Sequence, residues 1–250
     1  LLLAPAFVDP HVHLRVPGQE HKEELETGTR AAAAGGFSAV LAMPNTDPVI
    51  DSGSILGALR EAARREARIP VGFLGAITVG QEGRELTAMG EMREMGAAGF
   101  TDDGRPVVDA GILRRALQYQ RMVGGVLALH EEDPALSAGG SMNEGRVSAE
   151  LGIAGIPSVS ESSMIARDEG GAIHCQHLSS AESVRTVANA RDAGVRITAE
   201  ASPHHLCFTD EDVRGLDTRM KMNPPLRTEA DRQALIEGLR SGVIECIATD

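Results

Sequence analysis

The chain has no tryptophan, a single tyrosine (Tyr119) and five phenylalanines among 250 residues. A core without large rings must be filled by Ala, Val, Leu, Ile and Met, as a tightly layered α/β protein can manage. Cysteine is also scarce. Cys175, Cys207 and Cys246 are odd in number and lack the spacing of a disulfide framework or zinc knuckle, so a reducing, cytoplasmic setting is expected, with the cysteines as buried small hydrophobes. No apolar run approaches the roughly 20 residues of a membrane helix. The opening Leu1-Leu2-Leu3-Ala4-Pro5-Ala6-Phe7 lacks the basic flank and length of a signal peptide. Positive charge is short as well, with a net charge of −12. That argues against a nucleic-acid or acidic-membrane surface, because phosphates demand clustered Lys and Arg. An anionic small molecule remains open, since it needs only one or two well-placed cations.

What is present is an alternation. Short apolar runs, read as strands, cover Ala6–His13, Ala39–Met43, Val71–Ile77, Ala97–Thr101, Val126–His130, Ala172–His177, Arg196–Glu200 and Glu245–Thr249. Their continuous, β-branched character fits buried parallel strands. Amphipathic stretches at Lys22–Ala34, Ile55–Arg68, Glu85–Met95, Ala110–Val123, Glu182–Ala193 and Glu229–Arg240 fall between them. Met89, Met92 and Met95 recur at helical spacing and suggest core packing. Ser54 and Ser180 are placed to start helices, and Gly35, Gly96, Gly124 and Gly194 to end them. Strand–helix alternation predicts an α/β fold, and eight units predict a single (β/α)8 TIM-type barrel domain over residues 1–250. One crossover helix, about Val159–Asp168, is short. The chain starts just before the first strand and stops just after the eighth, so a barrel core with its ends missing is expected.

In such a barrel the chemistry sits at the carboxyl ends of the strands. The first strand ends in His11-Val12-His13, whose alternate side chains share a face. The fourth runs into Asp102-Asp103, the fifth ends at His130, the sixth at His177 and the eighth at Asp250. Each alone reads as an ordinary hydrogen-bonded residue. Together, four His and up to two Asp at five strand ends form a ligand set suited to zinc.

The order of these residues resembles the amidohydrolase superfamily. Several strings resemble the larger-chain bacterial dihydroorotases in particular: Val8-Asp9-Pro10-His11-Val12-His13-Leu14-Arg15, Met43-Pro44-Asn45-Thr46, Phe100-Thr101-Asp102-Asp103-Gly104, Met142-Asn143-Glu144-Gly145, Pro203-His204-His205-Leu206 and Asn223-Pro224-Pro225-Leu226-Arg227. The resemblance implies a hydrolase that interconverts N-carbamoyl-L-aspartate and L-dihydroorotate in pyrimidine biosynthesis. It implies two Zn2+ ions, with His11 and His13 on one and His130 and His177 on the other. Asp250 touches the first ion and shuttles the proton to the departing ring nitrogen. Many relatives bridge the metals with a carbamylated Lys. Here the Asp102-Asp103 pair stands in that place, with Asp103 favoured as the bridge beside a hydroxide.

Arg15 and Asn45 match residues that hold the substrate carboxylate, and Asn223 lies in a segment that meets the pyrimidine ring. Arg15 reaches that role from the face of His13 if the strand continues, where its fork suits a carboxylate. Relatives carry a closing helix, a small flanking β domain and a His-Ala-Pro-His string after the eighth-strand Asp, none of which this sequence contains. A homodimer and an aspartate transcarbamoylase partner are the assemblies the resemblance allows.

Other histidines are expected elsewhere: His21 in solvent, His174 in the core, and His204 and His205 in supporting or loop roles. Glu131 and Glu132 follow a ligand and are read either as orienting it or as solvated loop charges. Two rival readings stand beside this one. The first is a dihydropyrimidinase, hydantoinase or allantoinase, against which Arg15, Asn45 and the missing bridging Lys speak. The second is a non-catalytic partner of aspartate transcarbamoylase, against which the intact ligand set speaks.

Overall fold

The computed structural model describes residues 4–165 and 171–250 and divides into two compact units. The first holds the chain up to Ala128 together with Thr249 and Asp250, and the second runs from Leu129 to Ala248.

In the first unit β1 (Phe7–Val12), α1 (Leu25–Ala34), β2 (Phe37–Ala42), α2 (Gly53–Glu66) and β3 (Val71–Phe73) alternate, followed by α3 (Met89–Glu94) and α4 (Ala110–Val123). β1, β2 and β3 form a parallel sheet in that order. Val40, Ala42 and Phe73 are buried within it, as strands covered on both faces require.

The segment expected as a fourth strand, Ala97–Thr101, is bonded on both sides without becoming a regular strand. Ala98 N–H donates to Phe73 O at 2.8 Å, and Phe100 N–H donates to Val126 O at 2.9 Å. Gly99 accounts for the irregularity. A Cβ there would lie 2.9 Å from the Val126 carbonyl oxygen, so the two backbones approach more closely than a side chain allows.

α4 spans the residues that periodicity predicts. Asp109 caps it by accepting the Ile112 N–H at 2.9 Å, and Ile112, Leu113, Ala116 and Leu117 form its buried face. α2 starts earlier than expected, with Ser52 rather than Ser54 at its N-cap. α3 is shorter than the expected Glu85–Met95. Thr87 turns its hydroxyl to the Ala76 carbonyl at 2.8 Å, which keeps the preceding residues out of the helix. Met89 and Met92 are buried as expected, whereas Met95 is 40% exposed.

β4 (Leu127–Leu129) runs across the chain position that divides the units. The second unit continues with α5 (Pro134–Ser137), β5 (Met142–Asn143), α6 (Arg146–Leu151), β6 (Gly155–Ile156), α7 (Val159–Ile165), β7 (Ala172–Cys175), α8 (Ala181–Asp192), β8 (Arg196–Ala201), α9 (Pro203–Cys207), α10 (Glu229–Ser241) and β9 (Cys246–Ile247). β7, β8 and β9 are parallel neighbours, and Gln176 N–H donates to Leu129 O at 3.1 Å. β5 and β6 form a two-residue parallel pair that no periodicity announces. Ser180 caps α8 as expected, accepting the Ser183 N–H at 3.1 Å. The expected helix to Asp168 is present to Ile165, and its remaining residues lie outside the described ones. Ile173, Leu178, Leu226 and Leu235 are fully buried in this unit. The chain is thus an α/β protein with parallel sheets. Among the described residues no helix is long and apolar enough to cross a membrane.

Candidate metal centre

In the first unit the structure brings His11, His13, Asn45, Asp103 and Asp250 together. His11 Nε2 lies 3.6 Å from Asp103 Oδ1 and 3.4 Å from Asp250 Oδ1. His13 Nε2 lies 3.5 Å from Asp103 Oδ2 and 3.0 Å from Asp250 Oδ1. Asn45 fixes the His13 tautomer. Its Oδ1 can only accept, so His13 Nδ1–H donates to it at 2.9 Å and the Nε2 lone pair faces the carboxylates. The Asn45 Nδ2 donates in turn to Asp103 Oδ2 at 3.1 Å.

A lone pair and two carboxylates turned toward one point repel each other unless a cation lies among them. Donor atoms around a tetrahedral zinc stand roughly 3.3–3.6 Å apart. Three of the four separations, at 3.4–3.6 Å, fit that spacing, and the His13–Asp250 pair is closer at 3.0 Å. The residues present therefore suit a metal ion.

Of the two neighbouring acids, Asp103 is the one at the histidines. Asp102 turns the other way and accepts the Ile77 N–H at 2.8 Å, the Thr78 N–H at 3.1 Å and the Thr78 hydroxyl. Burial pushes its carboxyl up to about 6, against the downward pull of those hydrogen bonds.

Asp250 is held by a device that sequence reading left without a role. Asp9, 1% exposed, accepts the Thr249 hydroxyl at 2.7 Å, the Thr249 N–H at 3.2 Å and the His11 N–H at 3.2 Å. Asp250 N–H then donates to His11 O at 3.0 Å, with the Asp250 backbone at φ +59°. The signal was available, because Asp9 stands two residues before His11, on the same face of β1.

Arg15 and Asn45, both expected at a substrate carboxylate, have distinct settings. β1 ends at Val12, so the strand does not continue to Arg15, which stands at φ +60° just before Pro17. A proline cannot donate to a ladder, and the strand breaks ahead of it. Arg15 instead lines a cavity of about 500 Å³ with His13, Lys22, Glu23 and Asp250. Asn45, expected to donate to a substrate carboxylate, gives its amide to Asp103.

In the second unit His130 Nδ1 and His177 Nε2 face each other at 2.8 Å, with the rings at 78°. His130 Nε2 lies 3.2 Å from Glu132 Oε2. Hydrogen bonds from His130 first, then from Ser137 and Asn223, hold the Glu132 carboxyl at about 2. An ionised carboxylate only accepts, so His130 Nε2 carries the proton and its Nδ1 lone pair points at His177. A carboxylate behind a ligating histidine is the usual support of a metal site. Asn223 donates to the same Glu132 oxygen at 3.0 Å. Replacing Glu132 with Gln is expected to weaken metal binding at this pair by about 10–100-fold. Chelator competition measures it, and an unchanged affinity would reduce Glu132 to a loop charge.

Around this pair lies a buried polar network. Arg227, 3% exposed, donates to Ser179 Oγ at 3.1 Å, to Asn143 Oδ1 at 3.0 Å and to Ile156 O. Glu161 accepts the N–H groups of Ser179 and Ser180 at 3.1 and 3.3 Å. His205 Nε2–H donates to Pro224 O at 3.0 Å, and its Nδ1 accepts from Ser202 at 2.8 Å. Burial lowers the His205 imidazolium to about 4. The unfolded chain, near 6.5, then takes the proton first, so stability is full above about pH 6.5 and falls as pH drops toward 4. About 2 kcal/mol should be lost by pH 5. Urea midpoints at pH 7 and pH 5 test this, and in His205→Gln the difference should shrink by that amount.

His21 is exposed as expected. His174 is half-buried and hydrogen-bonded rather than packed in the core. Of the three cysteines only Cys175 is buried. Cys207, the last residue of α9, is exposed, and Cys246, on the two-residue β9, is half-buried.

Parallel α/β sheets carrying clustered His and Asp donors define an α/β protein of metal-site type. The family model described as dihydro-orotase-like matches residues 1–183, and the chain belongs to that family. It is 51% identical over 255 residues to a dihydroorotase of Pelotomaculum thermopropionicum and 48% identical over 255 residues to one of Bacillus caldolyticus. Each match covers 100% of this chain and 60% of the relative, so the chain spans about three-fifths of their length. An L-hydantoinase (dihydropyrimidinase) structure from Arthrobacter aurescens matches with a TM-score of 0.84 at 24% identity, over 98% of this chain and 57% of that one. A Saccharomyces cerevisiae dihydroorotase, solved with 5-fluoroorotic acid, matches with a TM-score of 0.74 at 18% identity, over 98% and 69%. These structures share the fold.

Proposed function

We propose that this chain is the metal-binding part of a dihydroorotase, acting on the cyclic amide of L-dihydroorotate and, in reverse, on N-carbamoyl-L-aspartate. The observation that carries the reading is the His11–His13–Asp103–Asp250 donor set, spaced for a metal ion, in a chain of the dihydro-orotase-like family. Two zinc ions are proposed, one on His11, His13 and Asp250 with Asp103, the other on His130 and His177. Of the two neighbouring acids Asp103 is the one proposed as a ligand, since Asp102 is engaged by Ile77 and Thr78. The parallel sheets and the 98% coverage by the hydantoinase support a single (β/α)8 barrel core as the architecture.

Bound zinc would acidify water and polarise the ring carbonyl. The chain's own groups do the rest. Asp250 takes the proton of the attacking water at a carboxylate oxygen and returns it to the departing ring nitrogen. Asn45 holds His13 in the tautomer that keeps Nε2 available. Arg15, in its cavity beside His13, offers a charged fork to the ring carboxylate, and Asn223 lies with Glu132 behind His130.

Ring opening of dihydroorotate, dihydrouracil, hydantoin and allantoin by the zinc-loaded chain tests the proposal. Dihydroorotate should be preferred, and Arg15→Met should raise its KM about 10–100-fold, the worth of a charged hydrogen bond, with kcat little changed. Preference for an uncharged ring would overturn the carboxylate reading.

A further inference from the structure

We propose a separate metal site in the second unit, formed by His174 on β7, Glu200 on β8 and Cys246 on β9, that takes a borderline-soft divalent cation such as zinc. Register places these residues on one face. His174 pairs with Thr198 and Glu200 pairs with Cys246 across the parallel strands. Thr198 and Glu200 are two apart on β8, so all four side chains emerge on one side of the sheet, opposite Ile173, Cys175 and Ala199. One ligand atom from each of His174, Glu200 and Cys246 falls within 4.8 Å of the others.

The hydrogen bonds show which atoms are available. His174 Nδ1 pairs with the Thr198 hydroxyl at 2.8 Å and its Nε2 with Glu200 Oε2 at 3.1 Å, so loss of the Nε2 proton leaves a ring nitrogen beside a carboxylate. A metal ion can take the place of that proton. A proton would satisfy two groups, whereas the Cys246 sulfur adds a third donor, which a proton does not need. Nitrogen, oxygen and sulfur from three residues make a set that suits zinc and disfavours magnesium or calcium. Glu200 is 1% exposed at its side chain and His174 is 15% exposed, so the donors are held in place yet reachable.

Binding displaces the Cys246 thiol proton to solvent, so affinity should fall as pH is lowered. The ion would tie three adjacent strands together. Through Glu200, whose Oε1 accepts the His177 N–H at 3.2 Å, it would also steady His177, which stands at φ +34°. Neither His174 nor Cys246 lies in a string that carries the family resemblance. None of its three donors is assigned to the proposed reaction centre.

Cobalt(II) distinguishes it. The donors proposed for the dihydroorotase centre are nitrogen and oxygen only, so thiolate-to-cobalt charge-transfer absorption reports Cys246 alone. Titrating the intact chain with Co2+ should raise such a band to a plateau that corresponds to one thiolate-bound cobalt per chain. The band should vanish in Cys246→Ser and persist in Cys175→Ser and Cys207→Ser. His174→Gln should need at least tenfold more cobalt. The same variants should lose the protection that Zn2+ gives the Cys246 thiol against alkylation. Absence of the band at saturating cobalt, its survival in Cys246→Ser, or an unchanged affinity in His174→Gln would overturn the site. Loss of ring opening with the band intact would bear on the proposed function and not on this site.

Discussion

Asp250→Asn is expected to lower dihydroorotate turnover by about 10²–10⁴-fold, the usual worth of a positioned proton carrier, while most of the metal stays bound. Asparagine is the informative replacement. It keeps an oxygen for the ion, leaves the backbone N–H bond to His11 O at 3.0 Å untouched, and tolerates the φ of +59° better than most residues. What it removes is the ability to take up a proton near neutral pH. Measuring kcat and metal content on the same preparation separates the two roles. A fall of less than tenfold with full metal would move proton transfer to another group. Parallel loss of metal and rate would make Asp250 a ligand first.

The second large effect is on stability. Arg227→Met should cost about 3–5 kcal/mol, because removing one member of a buried charged network leaves the others without compensation. Methionine roughly matches the volume, so a cavity is not the cause. Ser179 Oγ, Asn143 Oδ1 and Ile156 O would all lose their donor. Glu161, 2% exposed, would lose a nearby positive charge. A fall in Tm of roughly 10 °C follows for a chain of this size. Arg219→Met is the control. Its partner Asp217 is reached at the surface with the arginine 85% exposed, and such pairs contribute little. Equal effects from the two variants would show that the Arg227 network is not a major support.

Most strands, most helices and the meeting of His11 and His13 with Asp103 and Asp250 were legible because each rests on local information. Continuous apolar runs mark buried strands, and His11-Val12-His13 follows from the two-residue period. Asp102 and Asp103 could not be told apart locally, since adjacent residues offer the same chemistry. The choice depends on Thr78, 24 residues away from Asp102, taking one of them. The clamp from Asp9 to Thr249 and the Arg227 network were missed for the same reason. Their partners lie far along the chain or in short segments such as β5 and β6, where two residues give no period to read. The end of β1 ahead of Arg15 had a local signal, the proline two residues on.

The bond from Thr249 to Asp9 spans 240 residues of sequence. Closing a loop of that length costs about 5 kcal/mol of chain entropy, and a chain made from its amino end exposes His11 and His13 long before Asp250 exists. The ligand set of the first unit is therefore assembled last although it begins first. An ion captured there would add its affinity to the bonds that join residues 9 and 11 to residues 249 and 250.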